Sequence, residues 1–357
     1  MNTISSKGRT AMLHSALIIA LTTTGARAVT IDWVTVGDPG NTADSTGYGA
    51  VADSYRIGKY EVTIGQYTDF LNAVAATDTY SLYNALMATH LNIAGIARSG
   101  TSGSYTYSVI APSGSTPSGA SSPGNRPITY VSWFDAARFA NWMHNGQGSG
   151  STETGAYTLS GSTSGTAPAV NPGATFFIPT EDQWYKAAYY KGGSTNAGYW
   201  SYATQSDSAP GNILGSGTNQ ANYAPANVHS VTQAGTSSTQ NFLTDVGAFT
   251  ASQSASGTFD QSGNVNEWND LTGAANSSRG IRGGFFGNLN TSDVSSSYGL
   301  TVSAQFEFDS IGFRLASPAS SPSVVPEIDP AGMGSVAALL TGALGLLERR
   351  RRRANAA

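Results

Sequence analysis

The sequence predicts a single α+β domain, and three observations carry that prediction. Three segments show capped apolar stripes with helical period, and several short aromatic or β-branched runs bounded by turn residues read as strands. The Gly/Ser/Thr-rich tracts lie inside the patterned region and do not divide it into two cores. Of the 357 residues, 39% are apolar, enough for a sizeable core, while only 11% are charged, as in an exported protein with long polar loops.

Residues 1–28 read as a secretory leader. Lys7 and Arg9 precede the apolar run AMLHSALIIAL, and ARA, ending at Ala28, supplies the small residues a signal peptidase reads. SYRIGKYEV (54–62) has the pattern of a strand. In TIGQYTDFLNAVAA, Thr63 caps a helix with Ile64, Tyr67, Phe70, Leu71 and Val74 on one stripe. The Gly/Ser/Thr/Pro tract 99–125 reads as a surface excursion, too polar to pack. SWFDAARFANWMH predicts a second helix from Ser132, with Asp135 at the third helical position as a capping-box variant and Phe139, Ala140 and Met143 inward. A second polar tract, 146–174, again reads as surface, and FFIP (176–179) as a strand. The third helix, TEDQWYKAAYYKGG, has Thr180 as cap, Gln183 reaching back, Glu181 and Asp182 at its positive end and Gly192-Gly193 as its stop. GIRGGFF (280–286) and SIGFRLAS (310–317) complete the strands.

Charge and residue usage exclude several functions. Residues 29–326 carry 10 basic against 19 acidic residues, a net charge of −9, which argues against binding nucleic acid or any other polyanion. Cysteine is absent, so an exported fold stands on packing, hydrogen bonds or metal. No G-x-S-x-G elbow anchors a serine hydrolase, and no P-loop lysine follows the glycines at 146–150. His90, His144 and His229 have neither H-x-x-x-H nor H-E-x-x-H spacing and read as ordinary surface or helix-end histidines. Trp133, Trp142, Trp184, Tyr189, Tyr190 and Trp268 read as core.

One segment concentrates chemistry: FDQSGNVNEWNDL, 259–271. Asp260, Asn264 and Glu267 offer hard oxygens, and Gly263 lets the backbone turn so that carbonyls face inward, a combination that suits calcium. The spacing is not that of an EF-hand, because Val265 stands where the obligatory glycine belongs and the glutamate arrives too early. An Asx-type turn anchored by buried Trp268 explains the local sequence equally well.

Order along the chain adds more. YRIGKYEVTIGQYTDFLNA (55–73), RPITYVSWFDAARFANWM (126–143), FFIPTEDQWYKAAYYKGG (176–193), SGNVNEW (262–268), RGIRGGFF (279–286) and IGFRLA (311–316) together resemble the formylglycine-generating enzyme, or sulfatase-modifying factor, family. The resemblance implies one domain, about 29–320, with a C-type-lectin-like variant fold low in regular secondary structure and held by calcium. It implies a site formed by the Asp260 side chain, the Gly263 and Val265 carbonyls and the Glu267 carboxylate, and a second involving Asn222 and the Tyr223 carbonyl. Asn266 departs from the aromatic residue usual before the glutamate. The family's oxidase holds copper(I) between two cysteines, and soft copper(I) wants sulfur. Here RGGFFGNLNTSDVSSSYG (282–299) has none, so no copper is expected and that oxidase chemistry cannot run.

The far end of the chain resembles a PEP-CTERM sorting tail over 325–357. Pro326-Glu327-Ile328-Asp329-Pro330 precedes a short apolar span, 331–347, then Glu348 and five arginines that should stay cytoplasmic. This implies transient membrane anchoring and processing by an exosortase-type protease; the Ile-Asp insertion departs from the usual motif. The function read from the sequence is therefore an exported cell-surface or matrix protein, calcium-stabilised and noncatalytic, that binds extracellular polysaccharide or an envelope protein. Its rival is an oxidoreductase of the same superfamily using a metal at a non-cysteine site.

Overall fold

The computed structural model describes residues 28–116 and 121–319. Apart from Ala28, the leader expected at 1–28 lies outside the described residues, as does the sorting tail expected at 325–357. Among the described residues no helix is long and apolar enough to cross a membrane.

The chain opens with β1 (Trp33–Val36), antiparallel to β2 (Tyr55–Gly58). Then α1 (Ile64–Val74) begins at Thr63, whose hydroxyl accepts from the Gln66 N–H while the Gln66 side chain accepts from the Thr63 N–H, a complete capping box. The one-turn helix α2 (Leu86–Thr89) leads to the hairpin β3 (Ile96–Ser99) and β4 (Thr106–Val109). α3 (Trp133–His144) and α4 (Glu181–Tyr189) start in capping boxes at Ser132 and Thr180, the first using Asp135 as expected. After a long stretch with little regular structure come β5 (Asn266–Asn269), β6 (Ser278–Arg282), β7 (Leu300–Ser303), β8 (Ile311–Gly312) and β9 (Ala316–Pro318). The order β1-β2-β9 makes one sheet and β7-β6-β5-β8 another, with β5 and β8 parallel.

The core forms between α1, α3 and the segment after β8. Phe139 of α3 meets Tyr67 and Phe70 of α1 and Phe313, with ring centroids 6.2, 5.4 and 5.5 Å apart. The stripe expected on α1 is buried at Ile64, Tyr67, Phe70 and Leu71. On α3, by contrast, every residue from Trp133 to Met143 is buried, so this helix is wrapped on all sides.

Several expectations need correction. Residues 99–125 contain β4, and Tyr107 is buried there because its hydroxyl donates to the Ala75 carbonyl and Asn72 ties its backbone. Residues 146–174 also pack: Asn141 of α3 bonds the backbone of Thr152 and Tyr157, which draws Tyr157 and Leu159 inward. FFIP is no strand; Phe177 forms only a single bridge with Ala316. α4 stops at Tyr189, before Gly192-Gly193, because Tyr190 is extended and bridges Tyr199; the two glycines then make the left-handed turn that follows. His229 is buried, not surface, stacked on Phe242 with centroids 3.8 Å apart.

Candidate functional site

β5 is buried along its length and carries the acid and the indole of the chemistry-rich segment on opposite faces of the sheet. Trp268 enters the main core, where its Nε1–H donates to the Val131 carbonyl (2.9 Å). Glu267, fully buried, accepts from Arg314: Nη2 reaches Oε1 (2.6 Å), and Nε reaches Oε2 (2.5 Å), which also takes the Trp184 Nε1–H (2.8 Å). Arg314 spends its other donors on the carbonyls of Gly58 (2.9 Å) and Phe259 (2.8 Å).

Two further acids surround this pair. Glu61, 2% exposed, has Oε1 bonded by the Asn264 amide (3.1 Å), while Oε2 sits 4.0 Å from Arg314 Nη2 with no hydrogen-bond partner. Asp260 accepts the Gly247 N–H (2.6 Å) on Oδ2. Glu267 is thus bonded to the guanidinium and Glu61 lies 4.0 Å from it, while Asp260 feels its charge without pairing to it. Burial pushes Glu61 well above the usual carboxylate range; Asp260 raises it further, against the pull of Arg314. Burial lifts Asp260 to about 6, opposed by the Gly247 hydrogen bond and Arg314.

The structure brings the two expected calcium regions into one hydrogen-bonded unit. Asn222 bridges Gly263, with the Asn264 N–H donating to the Asn222 carbonyl (2.8 Å). Asn264 is consumed as a structural hub: its Oδ1 accepts from the Asn222 amide (3.0 Å) and from the Thr244 N–H and hydroxyl (both 3.2 Å). The hard oxygen expected from Asn264 is therefore already occupied. The Tyr223 carbonyl accepts long bonds from Ser230 (3.3 Å) and Asn212 (3.4 Å). Val265 packs its side chain against Phe242, Leu243 and Phe286.

Calcium needs six to eight oxygens, so the unspent ones decide the fit. Glu61 Oε2 is an orphaned buried acceptor, and a buried acceptor without a donor is a cost a cation removes. A cavity of about 10 Å³, roughly one water or ion, lies against Asp260 and is lined by Thr204, Gln220, Ser252 and Ser262 among others. Among the described residues no three His, Asp or Glu side chains converge as a metal cage, so backbone oxygens such as those of Gly263 and Val265 must complete any calcium shell. The orphaned Glu61 oxygen suits a hard cation, but the described side chains alone do not form its shell.

Glu61 and Arg314 were missed as site residues. Their signal was present: each is a charge between apolar neighbours, in YEV and IGFRLA, and a charge so placed is buried only when paired.

The stretch after Arg282-Gly283-Gly284 is closed by its own polar groups. Asn288 Oδ1 accepts the Phe285 N–H (2.6 Å), and its amide reaches Asp293 (3.3 Å). Gly284 is held at φ +75°, where a Cβ would meet the Asp293 carbonyl oxygen at 2.4 Å. Arg282 turns away to Glu181 (2.7 Å). A cleft of about 570 Å³ is lined by Asp32, Glu61, Thr63 and Asp69 among others, so it adjoins the acid cluster at Glu61.

Residues 35–319, from β1 through β9, match the sulfatase-modifying factor enzyme 1-like domain. The chain belongs to that family. Three solved structures are similar to this sulfatase-modifying-factor-like chain. Treponema denticola variable protein 1 is 17% identical over 82% of this chain and 97% of that chain, with a TM-score of 0.46. CarF is 21% identical over 82% and 99%, with a TM-score of 0.45. PvdO from Pseudomonas aeruginosa is 18% identical over 81% and 92%, with a TM-score of 0.39. No curated protein matches the chain in sequence. As a sulfatase-modifying-factor-like domain the chain is one unit of small helices and sheets.

Proposed function

We propose that this domain is a noncatalytic, calcium-ordered member of the sulfatase-modifying factor family, a C-type-lectin-like variant exported to the cell surface or matrix, where it binds a glycan or a protein. One observation carries the calcium reading: the buried Glu61 lies within the electrostatic reach of Asp260 and Glu267, and its Oε2 has no donor. A divalent cation neutralises the excess negative charge that burial otherwise makes unfavourable. Asp260, the Gly263 and Val265 carbonyls and Glu267 would hold it, with Asn222 and Tyr223 bracing the same unit. Arg314 meanwhile orients Glu267 through two hydrogen bonds.

The noncatalytic reading is supported by subtraction. The chain has no cysteine to hold copper(I), and the stretch after Gly284 is filled by hydrogen bonds among Phe285, Asn288 and Asp293. The export reading rests on the leader and on the tail with its exosortase motif, which together deliver the domain outside the cytoplasm through a transient membrane anchor.

Elemental analysis of the purified protein, paired with a calcium titration of its melting temperature, tests the reading. The expected result is calcium near stoichiometry and a melting temperature that rises with calcium, because a ligand bound only by the folded state adds stability with its concentration. Stoichiometric copper or iron, or a melting temperature indifferent to both calcium and chelator, overturns it.

A further inference from the structure

The loop between β7 and β8 presents two phenyl rings to solvent in a fixed geometry. Phe306 and Phe308 are 41% and 46% exposed and meet edge to face, centroids 5.5 Å apart at 76°. The loop beneath them is tied down. The Phe308 carbonyl accepts the Tyr130 N–H (3.0 Å), the Phe306 N–H donates to the Ser303 carbonyl (3.1 Å), and Glu307 accepts from the Asn84 amide (2.6 Å). Burying two phenylalanines is favourable by a few kcal/mol, so leaving both half in water on an anchored loop calls for another explanation.

Polar groups reach the same loop: Asp309 follows Phe308 in the chain, and the Tyr130 backbone bonds the Phe308 carbonyl. His90 Nδ1 lies 2.8 Å from the Tyr130 hydroxyl and 3.7 Å from the Asp309 carboxylate, and the His90 and Asp309 side chains are 30% and 37% exposed. Tyr130 is held at φ +57°, which fixes its side chain's direction over the loop's anchor. An apolar ring surface flanked by a carboxylate, an imidazole and a phenol matches a pyranose, which has one face of C–H groups and a rim of hydroxyls. The Asp309 carboxylate, on a chain of net −9 over 29–326, disfavours uronates and other polyanions. We propose that Phe306, Phe308, Asp309, His90 and Tyr130 form a binding platform for a neutral polysaccharide, the rings stacking on sugar faces and the polar trio bonding hydroxyls. This rests on the glycan- or protein-binding reading above and narrows its ligand.

Affinity electrophoresis of the purified protein in gels containing a β-glucan, an α-glucan, a galactomannan or a xylan, with alginate as the polyanionic control, tests it. At least one neutral polymer is expected to retard the protein. The double variant Phe306→Ser/Phe308→Ser should weaken that retention about tenfold or more, since it removes both aromatic contacts. Asp309→Asn should weaken it about threefold through a poorer hydrogen bond. Each ring is more than half buried, so the double variant should melt a few degrees below the parent, by no more than about 5 °C, with its fold intact. Failure of every neutral polymer, binding to alginate alone, or equal retention of the double variant overturns the platform. The calcium-dependent melting shift of the parent, read in parallel, is independent: a shift without retention sinks the sugar platform and leaves the calcium-ordered reading standing.

Discussion

Gly263 lies so close against Asn222 that a Cβ on it would sit 2.4 Å from the Asn222 carbonyl oxygen. This contact zips the two expected calcium regions together, and at φ +94° only glycine is comfortable there. Gly263→Ala should therefore destabilise the domain by about 2–4 kcal/mol, combining left-handed strain with a clash against backbone. Gly257→Ala separates the two effects. It has φ +88° but meets only Val34 Cγ1 at 3.5 Å, so its loss should be about 1 kcal/mol. Urea unfolding of both variants checks this; equal losses refute the close approach.

Asp260 is the cleaner probe of calcium. Glu267 is bonded to Arg314 and Trp184, so its removal costs stability with or without metal, whereas the Asp260 carboxylate accepts only the Gly247 N–H. Asp260→Asn should abolish most of the calcium-induced rise in melting temperature while shifting the value in chelator by no more than about 1 kcal/mol in stability. An undiminished calcium response removes Asp260 from the ligand set.

Arg314 holds the acids together. Arg314→Met leaves Glu267 fully buried without its charge partner and should cost about 3–5 kcal/mol. Adding Glu267→Leu should recover part of that loss, because replacing both members of a buried pair is milder than stranding one. Chemical denaturation of the single and double variants distinguishes this from simple loss of packing.

Asp135 gives a pH signature remote from the acid cluster. Burial raises its carboxyl to about 7, aided by Glu307 and opposed by Ser132. A folded-state pKa above the unfolded value near 4 means that the group's contribution is fully present below pH ~4 and is lost as pH rises toward 7. Asp135→Asn keeps an acceptor for the Ser132 cap but cannot ionise. The stability of the parent relative to this variant should fall by up to about 4 kcal/mol between pH 4 and 8. Melting curves across that range read the difference; a pH-independent gap contradicts the raised value.

The local signals were legible where the chain decides its own structure. Thr63, Ser132 and Thr180 cap helices because a side-chain oxygen and a residue three positions on are all a capping box needs. The four-residue strands were harder. β5 lies inside a segment that reads equally as a turn, and β4 inside a tract that reads as polar surface, since a strand this short is stabilised by neighbours that its own sequence does not contain.

By itself the sequence determined the α+β class, the three capped helices, the family, and the absence of any thiolate for copper, because each depends on residue type and order. Only the tertiary structure decided that Glu61 and Glu267, more than 200 positions apart, would share Arg314, that Asn264 would be spent as a hub, and that Phe306 and Phe308 would stay partly in water against each other. The reason is that a buried charge or an exposed ring acquires its meaning from partners far away in the chain, and no local pattern encodes that distance.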